Sequence, residues 1–96
     1  MAKSSKRPRN KVFLVAYAAD GTTIERIEMS YDDYYDGSAP VVDDDAYRRK
    51  HRIRRLAGEI YNRKGILQQS FDNTYGDDGG YVRSRIINAD GTVFED

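Results

Sequence analysis

The chain contains no cysteine and one histidine among its 96 residues. Without thiols there are no disulfides, no thiolate metal sites and no cysteine nucleophile. With His51 as the only imidazole, there is no histidine pair to hold a metal and no visible triad partner. The Walker loop and the dinucleotide glycine fingerprint are missing too. The longest apolar run, Val12 to Ala19, has eight residues, well short of the ~20 a membrane-spanning helix needs. These absences lead us to expect a non-enzymatic protein with no cofactor or metal, soluble and cytoplasmic, and with no membrane partner.

An excess of one charge is also lacking. Sixteen Lys and Arg balance sixteen Asp and Glu, so the total gives no sign of a basic nucleic-acid binder. The distribution is uneven: residues 1–11 carry +5, 12–45 carry −8, 46–65 carry +7 and 66–96 carry −4. Ninety-six residues suffice for one small core, burying roughly 60–70% of the surface the unfolded chain exposes. The first block is almost without apolar side chains and reads as a flexible basic arm, 1–11, ahead of a single domain, 12–96.

Within that domain, Val12 to Ala19 is rich in β-branched and aromatic residues and ends at Asp20-Gly21, a hairpin signal, so a returning strand is expected at 22–29. Residues 30–42 read as a connector. Asp43 to Asp45 offer an N-cap, and Ala46, Ile53, Leu56, Ala57 and Ile60 share one face at helical spacing. Arg63, Lys64 and Gly65 look like a helix end, which predicts a helix over 44–64 with Gly58 inside it. Strands are expected at 66–75, 81–88 and 92–94, with a loop at 76–80. The tetrapeptide Ala-Asp-Gly-Thr occurs at 19–22 and 89–92, which suggests one turn chemistry used twice. The fold class expected is α+β: a small antiparallel sheet of about four to five strands in two hairpin units, with one long amphipathic helix on one face. The residues on the second side of the first strand, Phe13, Val15 and Tyr17, would then need a cover: the connector, a second protomer or a ligand.

Three constellations invite a functional reading. Arg48, Arg52 and Arg55 on one helix face, with Lys6, Arg7, Arg9 and Lys11 of the arm, form a candidate grip on a nucleic-acid backbone; the plainer reading is a solvated helix balanced by neighbouring acids. Tyr81, Arg83 and Arg85 alternate on one side of a strand, where they can stack a base and hold phosphates, although ordinary sheet surfaces also favour them. Tyr31, Asp32, Asp33, Tyr34, Tyr35 and Asp36 interleave carboxylates with aromatics, which suits a partner-binding surface or a mimic of a phosphate backbone. Tyr75-Gly76-Asp77-Asp78 resembles the metal-binding hairpin of viral RNA polymerases over four residues, but a flexible glycine turn explains it more simply.

Together these features predict a small binding protein that engages nucleic acid or a nucleoprotein complex through the basic arm and the Arg-rich helix face. The alternative is a protein-binding inhibitor or adaptor of the phage or mobile-element type. It would act through the acidic Tyr-rich connector over 31–45 or an uncovered sheet face. A homodimer through the Phe13, Val15 and Tyr17 face is a further expectation.

Overall fold

A computed structural model of the chain describes residues 8–36 and 44–96. Its elements are β1 (Lys11–Tyr17), β2 (Thr23–Met29), α1 (Tyr31–Tyr35), α2 (Asp45–His51), β3 (Arg55–Tyr61), β4 (Leu67–Tyr75), β5 (Tyr81–Asn88) and β6 (Val93–Glu95). The strands make one six-stranded sheet in the order β2-β1-β3-β4-β5-β6, with every pairing antiparallel. After the first hairpin the chain passes through both helices and returns along the other edge of β1. From β3 onward it is a plain meander.

This corrects the expected fold class. There is no long helix over 44–64 on a sheet of four to five strands; the described residues are mostly sheet, with two short helices. The helix stops because Arg52 turns left-handed, φ 59°, and its N–H points back to the Arg48 and Arg49 carbonyls. Ile53 N–H also returns to the Arg48 carbonyl at 2.9 Å, which closes a Schellman-type end. Beyond it Leu56, Gly58 and Ile60 are buried while Arg55 and Glu59 are exposed, the period of two that marks a strand. Gly58 hides that period. A Cβ there would lie 2.6 Å from Phe71 Cε2 and 2.8 Å from Leu14 Cδ2, so neighbouring side chains fill its place in the core.

The four hairpins among the described residues share one five-residue turn, at 18–22, 62–66, 76–80 and 88–92. In each, the first residue's N–H donates to the fifth residue's carbonyl, and the fourth's N–H donates to the first's carbonyl. The fourth residue is Gly21, Gly65, Gly79 or Gly91, with φ between 81° and 88°, a left-handed conformation that glycine adopts without steric cost. In three of the turns an aspartate at the third position, Asp20, Asp78 or Asp90, accepts the fifth residue's N–H at 2.9 Å. Gly65, expected as a helix stop, therefore closes a hairpin.

Alternation sorts the sheet into two faces. On the inner face Val12, Leu14 and Ala16 of β1 stand opposite Ile60, Gly58 and Leu56 of β3. All of these except Gly58 form the buried core with Ile53 and Tyr75, and Tyr31 and Tyr34 of α1 and Tyr47 of α2 pack against it. Both helices thus sit on the inner face. Asn10 anchors the start of β1, donating its N–H to the Asn62 carbonyl at 2.8 Å and accepting from Tyr31 N–H at 3.1 Å.

Candidate functional site

Arg48 was expected on an exposed helix face, but it is fully buried. Its Nε donates to the Gly79 carbonyl at 2.9 Å, and an amino group pairs with Asp45. The guanidinium lies 4.1 Å above the Tyr75 ring and 5.3 Å from that of Tyr81. A desolvated guanidinium is tolerated where hydrogen bonds and aromatic faces replace water. Arg48 therefore clamps α2 to the β4–β5 hairpin and offers nothing to a ligand from outside. Burial beneath it pushes the Tyr75 phenol well above its ordinary range.

The residues that follow Arg48 are placed differently. Arg49, Lys50, His51 and Arg52 are consecutive and all exposed, and among the described residues the side chains of Arg49, Lys50 and Arg52 have no hydrogen bond or ion pair. His51 stacks on Tyr47, with ring centroids 4.2 Å apart. α2 ends here, so its carbonyl dipoles add to the favourable setting for cations. The Arg54 N–H donates to the Tyr17 carbonyl at 2.8 Å, which places the cluster at the end of the sheet where β1 finishes.

The other expected site residues are dispersed. Lys6 and Arg7 lie outside the described residues. Arg9 is exposed, with its stem against Gly65 in the β3–β4 turn. Lys11 pairs with Glu28 at 3.1 Å. Arg55 belongs to β3, beyond the Arg52 cap that ends α2; it makes a two-pronged contact with Asp72 at 2.9 and 2.7 Å. That contact raises its pKa further. On β5, Arg85 reaches Glu95 at 3.5 Å, whereas Arg83 is exposed without an ion pair among the described residues.

The acidic aromatic stretch forms α1, capped by Ser30, whose hydroxyl accepts the Asp33 N–H at 2.9 Å. Tyr31 and Tyr34 are turned to the core, and the Tyr35 ring meets both, tilted against Tyr31 and edge-to-face with Tyr34, at centroid distances of 4.8 and 5.1 Å. Asp32 pairs with Arg63, whose hydrogen bond holds its carboxyl below the usual aspartate range. Asp33 and Asp36 are exposed. Much of this expected docking surface is thus engaged within the molecule; its continuation at 37–43 lies outside the described residues.

The outer face carries Phe13, Val15 and Tyr17 of β1, Ala57 of β3 and Ile87 of β5, and no described element covers it. A shallow cavity of about 370 Å³ lies here, lined by Phe13, Val15, Ala57 and Ile87 and also by Glu59, Asp72 and Arg85. Among the described residues no helix is long and apolar enough to cross a membrane, and no three His, Cys, Asp or Glu side chains are grouped to hold a metal ion.

No protein-family model, curated protein or solved structure matches this chain. The site is therefore read from its own residues. Arg49 and Lys50 were not among the expected contacts, because a helix continuing to residue 64 would have turned Arg48, Arg52 and Arg55 outward together. The signal that could have singled them out is the run Arg48-Arg49-Lys50-His51-Arg52 itself: on a helix two turns long, one of these basic residues faces inward and the rest remain outside.

Proposed function

We propose that this is a non-enzymatic binding protein that contacts a nucleic-acid backbone through Arg49, Lys50 and Arg52 at the end of α2. The observation that carries the reading is Arg52. Its backbone occupies a left-handed position, φ 59°, that glycine would fill at lower cost. The chain nevertheless places there an exposed guanidinium with no partner among the described residues. Local choices that oppose stability gather at functional sites. Two more unpaired cations beside it supply the charge that phosphate recognition needs, and guanidinium groups suit phosphate oxygens. The outer face is less suited to a polyanion, because Glu59 and Asp72 stand near its centre and Asp72 already holds Arg55.

Fluorescence anisotropy with labelled duplex DNA and single-stranded RNA at low salt tests this reading. Binding should weaken steeply as salt rises, and the pair Arg49→Glu and Arg52→Glu should reduce affinity at least about tenfold. Affinity that ignores salt, or survives both charge reversals, would refute it.

A further inference from the structure

We infer that the outer sheet face is a homodimer interface, in which two copies of this chain pack face to face about a two-fold axis parallel to the strands and lying between β3 and β4. This rests on the outer face alone and does not depend on the nucleic-acid reading. The sheet order β2-β1-β3-β4-β5-β6 places that axis at the centre. β2 then meets the second copy's β6, β1 meets β5, and β3 meets β4.

The strand registers determine which side chains would oppose one another. Val15 is aligned with Arg26 on β2 and with Ala57 on β3; Ala57 continues to Asp72, Asp72 to Arg85 and Arg85 to Glu95. Across the axis, this row sets Arg26 against Glu95, Val15 against Arg85 and Ala57 against Asp72. The next row runs from Glu28 through Phe13, Glu59, Ser70 and Ile87 to Val93, so Phe13 meets Ile87, Glu59 meets a hydroxyl, and Glu28, which Lys11 of its own chain already holds, meets Val93. In the row through Tyr17, Arg55, Thr74 and Arg83, Arg83 meets Tyr17, whose ring already lies 4.9 Å from the Arg55 guanidinium of its own chain, and adds a second cation to that aromatic ring.

No like charges oppose each other in these rows. Arg26 and Arg83, which have no ion pair among the described residues, each acquire a partner. Glu95 is available because its bridge to Arg85 is long, 3.5 Å, and its side chain is 62% exposed. The other in-plane axis, perpendicular to the strands, would set each strand against its own copy and carry Arg83 past the end of the second copy's β5. It leaves that guanidinium unmatched. Self-complementarity of this kind is what an isologous interface requires, and sheets that pack face to face sit about 10 Å apart with their strands nearly aligned.

Size sets how tight the pair can be. Six strands at about 4.8 Å spacing and seven residues at about 3.4 Å each give a footprint on the order of 600 Å² per copy. Standard interfaces bury about 800 Å² per partner, so association should be reversible, with a dissociation constant in the micromolar range.

Sedimentation equilibrium of the full chain over a concentration series tests this inference. The mass should rise from 11.0 kDa toward twice that value. Phe13→Glu should leave a monomer. Arg26→Glu and Glu95→Arg should each raise the dissociation constant about tenfold, and the two together should restore it; this exchange remains informative if Phe13→Glu fails to fold. A monomer at every concentration would overturn the inference, as would a dimer indifferent to all these changes. A monomer that loses nucleic-acid affinity on Phe13→Glu would overturn it as well, and would give this face to the nucleic acid.

Discussion

A left-handed φ costs a non-glycine residue roughly 1 kcal/mol, and Arg52 bears that cost at 59°. Arg52→Gly should therefore stabilise the fold by about 1 kcal/mol while lowering nucleic-acid affinity severalfold. Urea unfolding and anisotropy on the same variant would show the opposed signs, and a variant less stable than the parent would mean that Arg52 serves the fold. Arg48, four residues earlier, illustrates the other use of a guanidinium. Its charge is enclosed by the Gly79 carbonyl, Asp45 and two tyrosine rings, and its task is to hold two elements together. Composition alone gives these residues the same weight, because Arg48 and Arg52 lie in one basic run. Their separation depends on where α2 ends, and a helix end is set by backbone conformation at a single residue.

At the scale of elements, glycines with similar backbone angles have different surroundings. Gly21 has φ 88° and open space where a Cβ would stand; Gly79 has φ 85°, and a Cβ there would strike the Asp45 carbonyl and come within 3.2 Å of the Arg49 nitrogen. Gly21→Ala should cost about 1 kcal/mol from backbone strain alone. Gly79→Ala should cost that and a further ~2 kcal/mol, since α2 must lift from the hairpin. Thermal or urea unfolding of both variants checks the difference, and equal losses would show that α2 does not rest on this turn. The same glycines explain how far the sequence was legible. The turns at 18–22 and 88–92 were readable because Asp-Gly follows a β-branched strand and the tetrapeptide recurs. The turn at 62–66 was not: a glycine in the left-handed region ends a helix and closes a hairpin equally well. Ile53, Leu56, Ala57 and Ile60 satisfy helical spacing, while the alternation of Leu56, Gly58 and Ile60 is obscured by the one inward position that lacks a side chain. What fills that position is Phe71, 13 residues further along the chain. No local pattern holds that information.

For the whole molecule, the two-fold packing and the cation cluster bear on each other. An axis parallel to the strands leaves both copies of Arg52 at the same end of the assembly, where β1 finishes and Arg54 meets the Tyr17 carbonyl. With sheets about 10 Å apart and a helix about 10 Å thick on each outer side, the two clusters stand on the order of 30 Å from one another. One turn of duplex DNA spans about 34 Å, so a single duplex of that length can meet both. Each neutralised phosphate contributes about 0.9 to the slope of log affinity against log salt. Three cations in each of two copies therefore predict a slope of about −5.4, and three alone predict about −2.7. Salt titrations on a duplex longer than one turn should give the steeper value for the parent chain above its dimerisation threshold, and the shallower one for Phe13→Glu. The change should occur without any contact between Phe13 and the DNA, because it arises from how many basic ends one assembly presents. A parent and a monomeric variant with the same slope would show that each α2 acts alone.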